Sequence, residues 1–172
     1  MRGLKIDPKD IQWKKNLKKN LLNNRQLENT GFMFLSALTK NEYPENDMLK
    51  LRAIKDEKLM FECDLRSNFI NQIQNTKKGC LTVYFALSKE KMKFKGNFDI
   101  LDYKQKKEEE KEDYIQIWND ELDKNEKRKY KEANPDKIKI EPEDILRFNN
   151  PDLDDLSQNF GVLRFYPISG NI

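Results

Sequence analysis

Hydrophobic and polar positions divide the chain into a helical opening, a strand-rich middle and a charged final third. Trp13, Leu17 and Leu21 recur every four residues, which predicts an amphipathic helix over residues 8–24. Asp7 and Pro8 stand at its start, a carboxylate suited to an N-cap and a proline suited to the first helical position. From Phe32 the period changes. Residues 32–39 are rich in apolar side chains. Residues 48–54 (MLKLRAI) alternate strictly, with Met48, Lys50, Arg52 and Ile54 on one face and Leu49, Leu51 and Ala53 on the other. A turn at Asp56-Glu57 leads into 58–63, completing a meander of three strands. Residues 64–75 read as a helix capped by Asp64 or Ser67, with Phe69, Ile70 and Ile73 on one face and Gly79 breaking it. Residues 80–87 are apolar on both faces, as a central strand requires, and 91–101 form a fifth strand. Gly96, inside that strand, marks a bulge or a point of close backbone approach.

Beyond Leu101 the composition shifts. The charge run 104–113 reads as the solvated first half of a helical segment over 104–132. Tyr114, Ile117, Trp118 and Leu122 give that segment its apolar spacing, with one helix ending near Lys124 and another turn before Tyr130. Residues 133–158, rich in proline and acids, read as an extended surface loop, and 160–168 as the last strand. Asp152, Asp154 and Asp155 in that loop lack the glycine and spacing of a metal-binding loop. The pattern predicts a single mainly β (α+β) domain over residues 1–172, a small antiparallel barrel with peripheral helices.

Composition narrows the function classes. Aromatic residues at 10% are too many for a disordered chain, and no apolar run is long enough to span a bilayer. Lys plus Arg number 33 against 30 for Asp plus Glu, so no global electrostatic case exists for nucleic acid, which is not an expected partner. Lys14, Lys15, Lys18 and Lys19 form a basic helix face whose plain reading is solvation. The 26 Lys against 7 Arg, with 18 Asn, reads as codon bias, so the arginines are the cations that stand out. Histidine is absent and the cysteines are only Cys63 and Cys80. This removes Ser-His-Asp and Cys-His catalysis and any zinc site of four Cys/His ligands. Each cysteine lies in an apolar stretch, which predicts two reduced, buried thiols in an intracellular, cytoplasmic protein. The first ten residues lack the apolar segment of a secretory signal, and their early acids argue against a mitochondrial presequence.

The segment Cys63-Asp64-Leu65-Arg66-Ser67-Asn68-Phe69 carries the most chemistry. It runs from a strand end into the first turn of a helix, where free N–H groups, an arginine and a hydroxyl meet. Such a junction either caps the helix beside a surface arginine or binds an anion. Its context resembles the FMN-binding split barrel of the pyridoxamine 5′-phosphate oxidase superfamily, in particular the cyanobacterial-type FMN-binding subfamily. Trp13, MLKLRAI (48–54), CDLRSNF (63–69), VYF (83–85), KMKFKG (91–96), WNDEL (118–122) and FGVLRFYP (160–167) follow that subfamily's motif order.

The resemblance implies an FMN-binding, oxidase-like homodimer in which Arg66 and Ser67 hold the phosphate. It also implies that Arg52 and Lys91 flank the flavin and that Cys63, standing in for a threonine, touches it. Several positions depart from the subfamily. Asp47 replaces an arginine, Phe69 a lysine and Lys91 a glutamine, and the chain stops soon after Pro167. These departures support a second expectation, a flavin-less barrel serving as a structural or interaction subunit of a larger assembly. No residue declares itself a general base.

Overall fold

In the computed structural model, which describes residues 4–104, 107–132 and 156–171, six antiparallel strands close into a barrel. The strands are β1 (Phe32–Leu38), β2 (Pro44–Lys55), β3 (Lys58–Asp64), β4 (Lys78–Phe85), β5 (Glu90–Leu101) and β6 (Phe160–Asn171). Their order around the barrel is β1-β2-β3-β6-β5-β4, so the last strand in sequence fills the gap between β3 and β5. The mainly β split barrel read from the sequence is the architecture observed.

Period-two alternation builds the barrel interior. Met33, Leu35 and Ala37 of β1, Leu81, Val83 and Phe85 of β4, and Met92, Phe94 and Phe98 of β5 all point inward and are buried. Helix α1 (Gln12–Asn23) adds Leu17 and Leu21 to this core, and its Trp13 meets Phe94 edge-on at 5.6 Å. Helix α2 (Asn68–Ile73) adds Phe69, Ile70 and Ile73. Phe69 thus serves the core.

Three features depart from the pattern. The first helix begins at Gln12 rather than at residue 8. Asp7 instead closes a turn, accepting from the Lys9 amide at 2.8 Å. The Asp10 carboxylate is held by Lys14 at 3.0 Å and Lys18 at 2.6 Å, so two lysines of the supposed solvated face bind an acid. The second departure is in β2. Leu51 pairs with Phe61, but Ala53 pairs with Met60, so Arg52 is an extra residue in a bulge. The bulge reverses the alternation: Ile54 turns into the barrel, while Arg52 and Ala53 face outward together.

The third departure is the charged segment. It forms α3 (Glu108–Gln116), a π-helical turn (Ile117–Glu121) and, after an extended Leu122, α4 (Lys124–Lys129). Tyr114, Ile117, Trp118, Leu122 and Tyr130 pack on the outside of β3 and β6, against Met60, Phe160 and Val162. The charge run is therefore not simply solvated. Asp113 is fully buried, paired with Lys55 at 2.7 Å, Lys58 at 3.2 Å and Arg164 at 3.4 Å. The expected loop 133–158, with Asp152, Asp154 and Asp155, lies outside the described residues except for its last three. Of those, Ser157 is buried and donates to the Tyr130 carbonyl at 2.8 Å.

Gly96 sits at a register shift between β5 and β6, where an added Cβ would lie 2.3 Å from the Tyr166 carbonyl oxygen and 2.7 Å from the Phe165 ring. Backbone cannot give way as a flexible side chain can. Gly96→Ala should lose about 3 kcal/mol of stability, the upper range for overpacking, read as a lower urea midpoint at unchanged slope. An unshifted midpoint would contradict this account of the position.

Candidate functional site

The outward face of β2, the end of β3, the start of α2 and the C-terminal turn of α4 enclose a cleft of about 290 Å³. Phe32, Met48, Leu49 and Ile70 give it an apolar lining. Asp47, Lys50, Glu62, Cys63, Asp64, Ser67, Lys129 and Tyr130 supply its polar groups. Local sequence explains the α2 edge. β3 ends at Asp64, whose carboxylate accepts from the Arg66 amide at 2.9 Å and so turns the chain. Ser67 then caps α2, its Oγ accepting from the Ile70 amide at 3.2 Å. Ser67, rather than Asp64, is the cap, and its O–H faces a cleft it can donate to.

Every arginine expected at the site is held by this chain's own acceptors. The Arg66 guanidinium forks onto Asp64, Nε to Oδ1 at 2.9 Å and Nη2 to Oδ2 at 2.6 Å. It also donates to the carbonyls of Lys129 at 3.1 Å and Glu132 at 2.5 Å, clamping the end of α4. Arg52 is 3% exposed. Its Nη2 lies 2.8 Å from Glu62 and 2.5 Å from Glu126, and its Nη1 donates to the Glu121 carbonyl at 3.2 Å. Its Nε has no hydrogen-bond partner among the described residues. The same Glu126 oxygen accepts from Lys50 at 2.7 Å, while Glu62 also takes Lys129 at 2.9 Å and the Tyr130 hydroxyl at 3.1 Å.

The electrostatics follow from this pairing. Burial works to raise the Glu126 pKa, but the bonds from Arg52 and Lys50 outweigh it and hold the carboxyl down at about 2. Burial likewise works against the Arg52 charge, yet Glu126 and Glu62 raise its pKa further. Burial pushes the Cys63 thiol well up, helped by Asp64 and Glu62, so it stands as a neutral thiol and not a nucleophile.

The structure brings Cys63 and Ser67 to one cleft and places Arg52 and Arg66 behind its polar wall. Lys91 is elsewhere: it is exposed on β5, opposite Tyr84, and does not line the cleft. Asp47 does line it, as the departure from the subfamily pattern implied. Glu62, Glu126 and Lys129 were not singled out from the sequence. One signal was available for Glu126, since Asp123-x-x-Glu126 spells a capping box that starts a helix after Leu122. Arg52 also lines a larger cavity of about 570 Å³ with residues 4–8, Lys18, Ile54 and Gln116, but its two buried cations already have carboxylate partners.

The comparisons bear on family and fold. The sequence profile of the pyridoxamine 5′-phosphate oxidase FMN-binding domain matches residues 10–102, more than half of the chain, and covers β1 to β5 with both α1 and α2. The chain belongs to this family. Solved structures share its fold. A pyridoxamine 5′-phosphate oxidase-related, FMN binding protein from Nostoc punctiforme superposes with TM-score 0.83 at 22% identity, over 94% of this chain and 84% of that one. PhzG from Burkholderia lata, solved with tetrahydrophenazine-1-carboxylic acid, gives TM-score 0.72 at 12% identity, over 96% and 81%. General stress protein 26 from Bacillus anthracis gives 0.52 at 16%, over 90% and 92%. No curated protein matches the chain. Among the described residues of this family member, no helix is long and apolar enough to cross a membrane.

Two predictions follow from the burial and charge of the site. Both thiols are free, but Cys63 is buried and Cys80 only half-buried, which corrects the expectation that both are inaccessible. Under native conditions a thiol reagent should label Cys80 first and Cys63 only as the protein unfolds; the reverse order would contradict the cleft described. The second concerns acid. Glu126 and Asp113 have folded pKa values below their unfolded ones, so their contribution is complete above the unfolded value and lost as pH falls. For Glu126 that window runs from 4.5 down to about 2. The urea midpoint should be flat above it and fall steeply within it.

Proposed function

We propose that this chain binds FMN in the cleft between β2, β3 and α2 and acts as an oxidase-like flavoprotein. One observation carries the reading. Within the segment matching the FMN-binding profile, residues 47–70 gather an apolar lining, a donor hydroxyl and the Lys50 ammonium at a single cleft, to which Lys129 of α4 adds a second ammonium. That donor set fits a ligand with a planar, largely apolar ring and an anionic tail.

Each residue has a defined task. Ser67 donates its hydroxyl to the phosphate, and Lys50 and Lys129 supply charge at the cleft wall. Arg66 spends four of its five N–H groups on Asp64 and on two carbonyls near the end of α4, leaving one N–H on Nη1 for the ligand. Cys63 flanks the ring, while Arg52 stands behind the wall and acts on the site through Glu62 and Glu126. Bound FMN supplies reversible two-electron redox chemistry, while the protein provides orientation and electrostatics.

A homodimer suits the same surface. The outer face of β1, β2 and β4 exposes Phe34, Leu38, Met48 and Tyr84, with Phe34 directly opposite Met48. Contiguous exposed apolar side chains of this kind mark a docking face. Met48 belongs to both the face and the cleft, so a second copy docked there would border the flavin. Lys91 would join the site only from such a copy. The flavin-less subunit is not favoured by the comparisons.

Titrating FMN into the protein should give saturable quenching of flavin fluorescence and a visible flavin spectrum after gel filtration. Asp47→Arg replaces an acid at the cleft by a cation and should tighten FMN binding by roughly tenfold or more. Absence of saturable binding in both proteins would end the flavoprotein reading.

A further inference from the structure

The cations beside the cleft are not free. The Glu126 Oε1 atom sits between Lys50, at 2.7 Å, and Arg52, at 2.5 Å. Its other oxygen accepts from the Asp123 amide at 3.1 Å, while Asp123 accepts from the Glu126 amide at 2.9 Å. One carboxylate therefore starts α4 with one oxygen and neutralises two cations with the other. We propose that Glu126 is a built-in counter-anion of the flavin site, occupying on Lys50 and Arg52 the charge that a ligand's phosphate must claim. It thereby sets how strongly the site prefers phosphorylated over unphosphorylated flavins. The proposal rests on the FMN reading and deepens it.

Charge counting supports it. Lys50, Arg52 and Lys129 meet Glu62 and Glu126, leaving one positive charge. Asp64 and Arg66 cancel each other. Asp47, at the wall of the cleft, cancels what remains. A phosphate monoester carrying about −1.5 to −2 therefore meets no net attraction while Glu126 stays in place. Glu126 resists protonation, its carboxyl held down at about 2, so near neutral pH only a competing anion displaces it.

Glu126→Gln isolates the charge. Glutamine preserves the capping box with its side-chain oxygen on the Asp123 amide, and its NH2, a donor, then faces Lys50 and Arg52 and holds neither. Arg52 keeps Glu62 as partner, so no buried charge is orphaned. Lys50, with 31% of its side chain exposed, gains freedom to meet a ligand.

The test titrates FMN and riboflavin, which share a ring and differ in the phosphate, into full-length wild type and Glu126→Gln by fluorescence quenching. The expected result is a roughly tenfold gain in FMN affinity with riboflavin affinity unchanged. In the double variant with Lys50→Gln that gain should vanish. An FMN-to-riboflavin ratio equal in wild type and Glu126→Gln would overturn the proposal and leave the flavin reading standing. Equal weakening of both ligands in Glu126→Gln would make Glu126 a structural strut and also overturn it. Binding of neither flavin to any of the proteins would overturn the FMN reading itself, and the proposal with it.

Discussion

A buried arginine charge is tolerable only where carboxylates come to meet it, and Arg52 imposes that condition on three separate elements. Arg52 faces outward from β2 at the bulge, where the helical cover shuts it from water. Glu62 from β3, Glu126 from α4 and the Glu121 carbonyl from the π-helical turn then converge on one guanidinium. Removing the arginine from such a buried cluster costs about 3–5 kcal/mol, because the carboxylates gathered on it lose their shared countercharge. The position of α4, and with it one wall of the cleft, depends on this single side chain.

A second ionic cluster mirrors the first. Lys55 and Lys58, at the opposite end of the β2–β3 hairpin, meet Asp113 of α3, and Arg164 of β6 forks onto Asp99 at 2.8 and 2.7 Å. Between the two clusters lies an aromatic block, in which Trp118 sits 5.0 Å from Phe160 and 6.1 Å from Tyr130. The helical cover is thus pinned by charge at its margins and by ring contacts at its middle. Dispersion and area burial provide the bulk of the attraction, while the ion pairs fix where the cover sits.

The sequence displayed the barrel more clearly than it displayed what covers the barrel. Apolar runs between turn signals located all six strands, with strict alternation in 48–54, because the interior is uniformly apolar and any slip would expose it. The alternation of 48–54 misled just beyond Arg52, at Ala53 and Ile54, since a bulge adds a residue without changing composition. Glu62 and Arg164 were not legible for a different reason. Polar residues on an outward strand face read as solvent-facing, and only the tertiary docking of α3 and α4 buries them. At the cleft, Ser67 and Cys63 could be placed from their strand-to-helix junction, a local feature. Glu126 and Lys129 could not, because they reach the cleft from more than fifty residues beyond it in the chain.

The placement of β6 has a consequence for how the molecule comes into being. This strand pairs on one side with β3 and on the other with β5, so the barrel closes only through residues 160–171. During vectorial synthesis the first five strands emerge as an open sheet with two unsatisfied edges, at β3 and β5. Those edges must wait while the helical cover and the segment after it are translated. Pairing over such long sequence separation makes ring closure slow, and open strand edges are where nascent chains associate wrongly. The lysine row of β5, at Lys91, Lys93 and Lys95, lies along one of those waiting edges and discourages edge-to-edge contact between two unfinished copies.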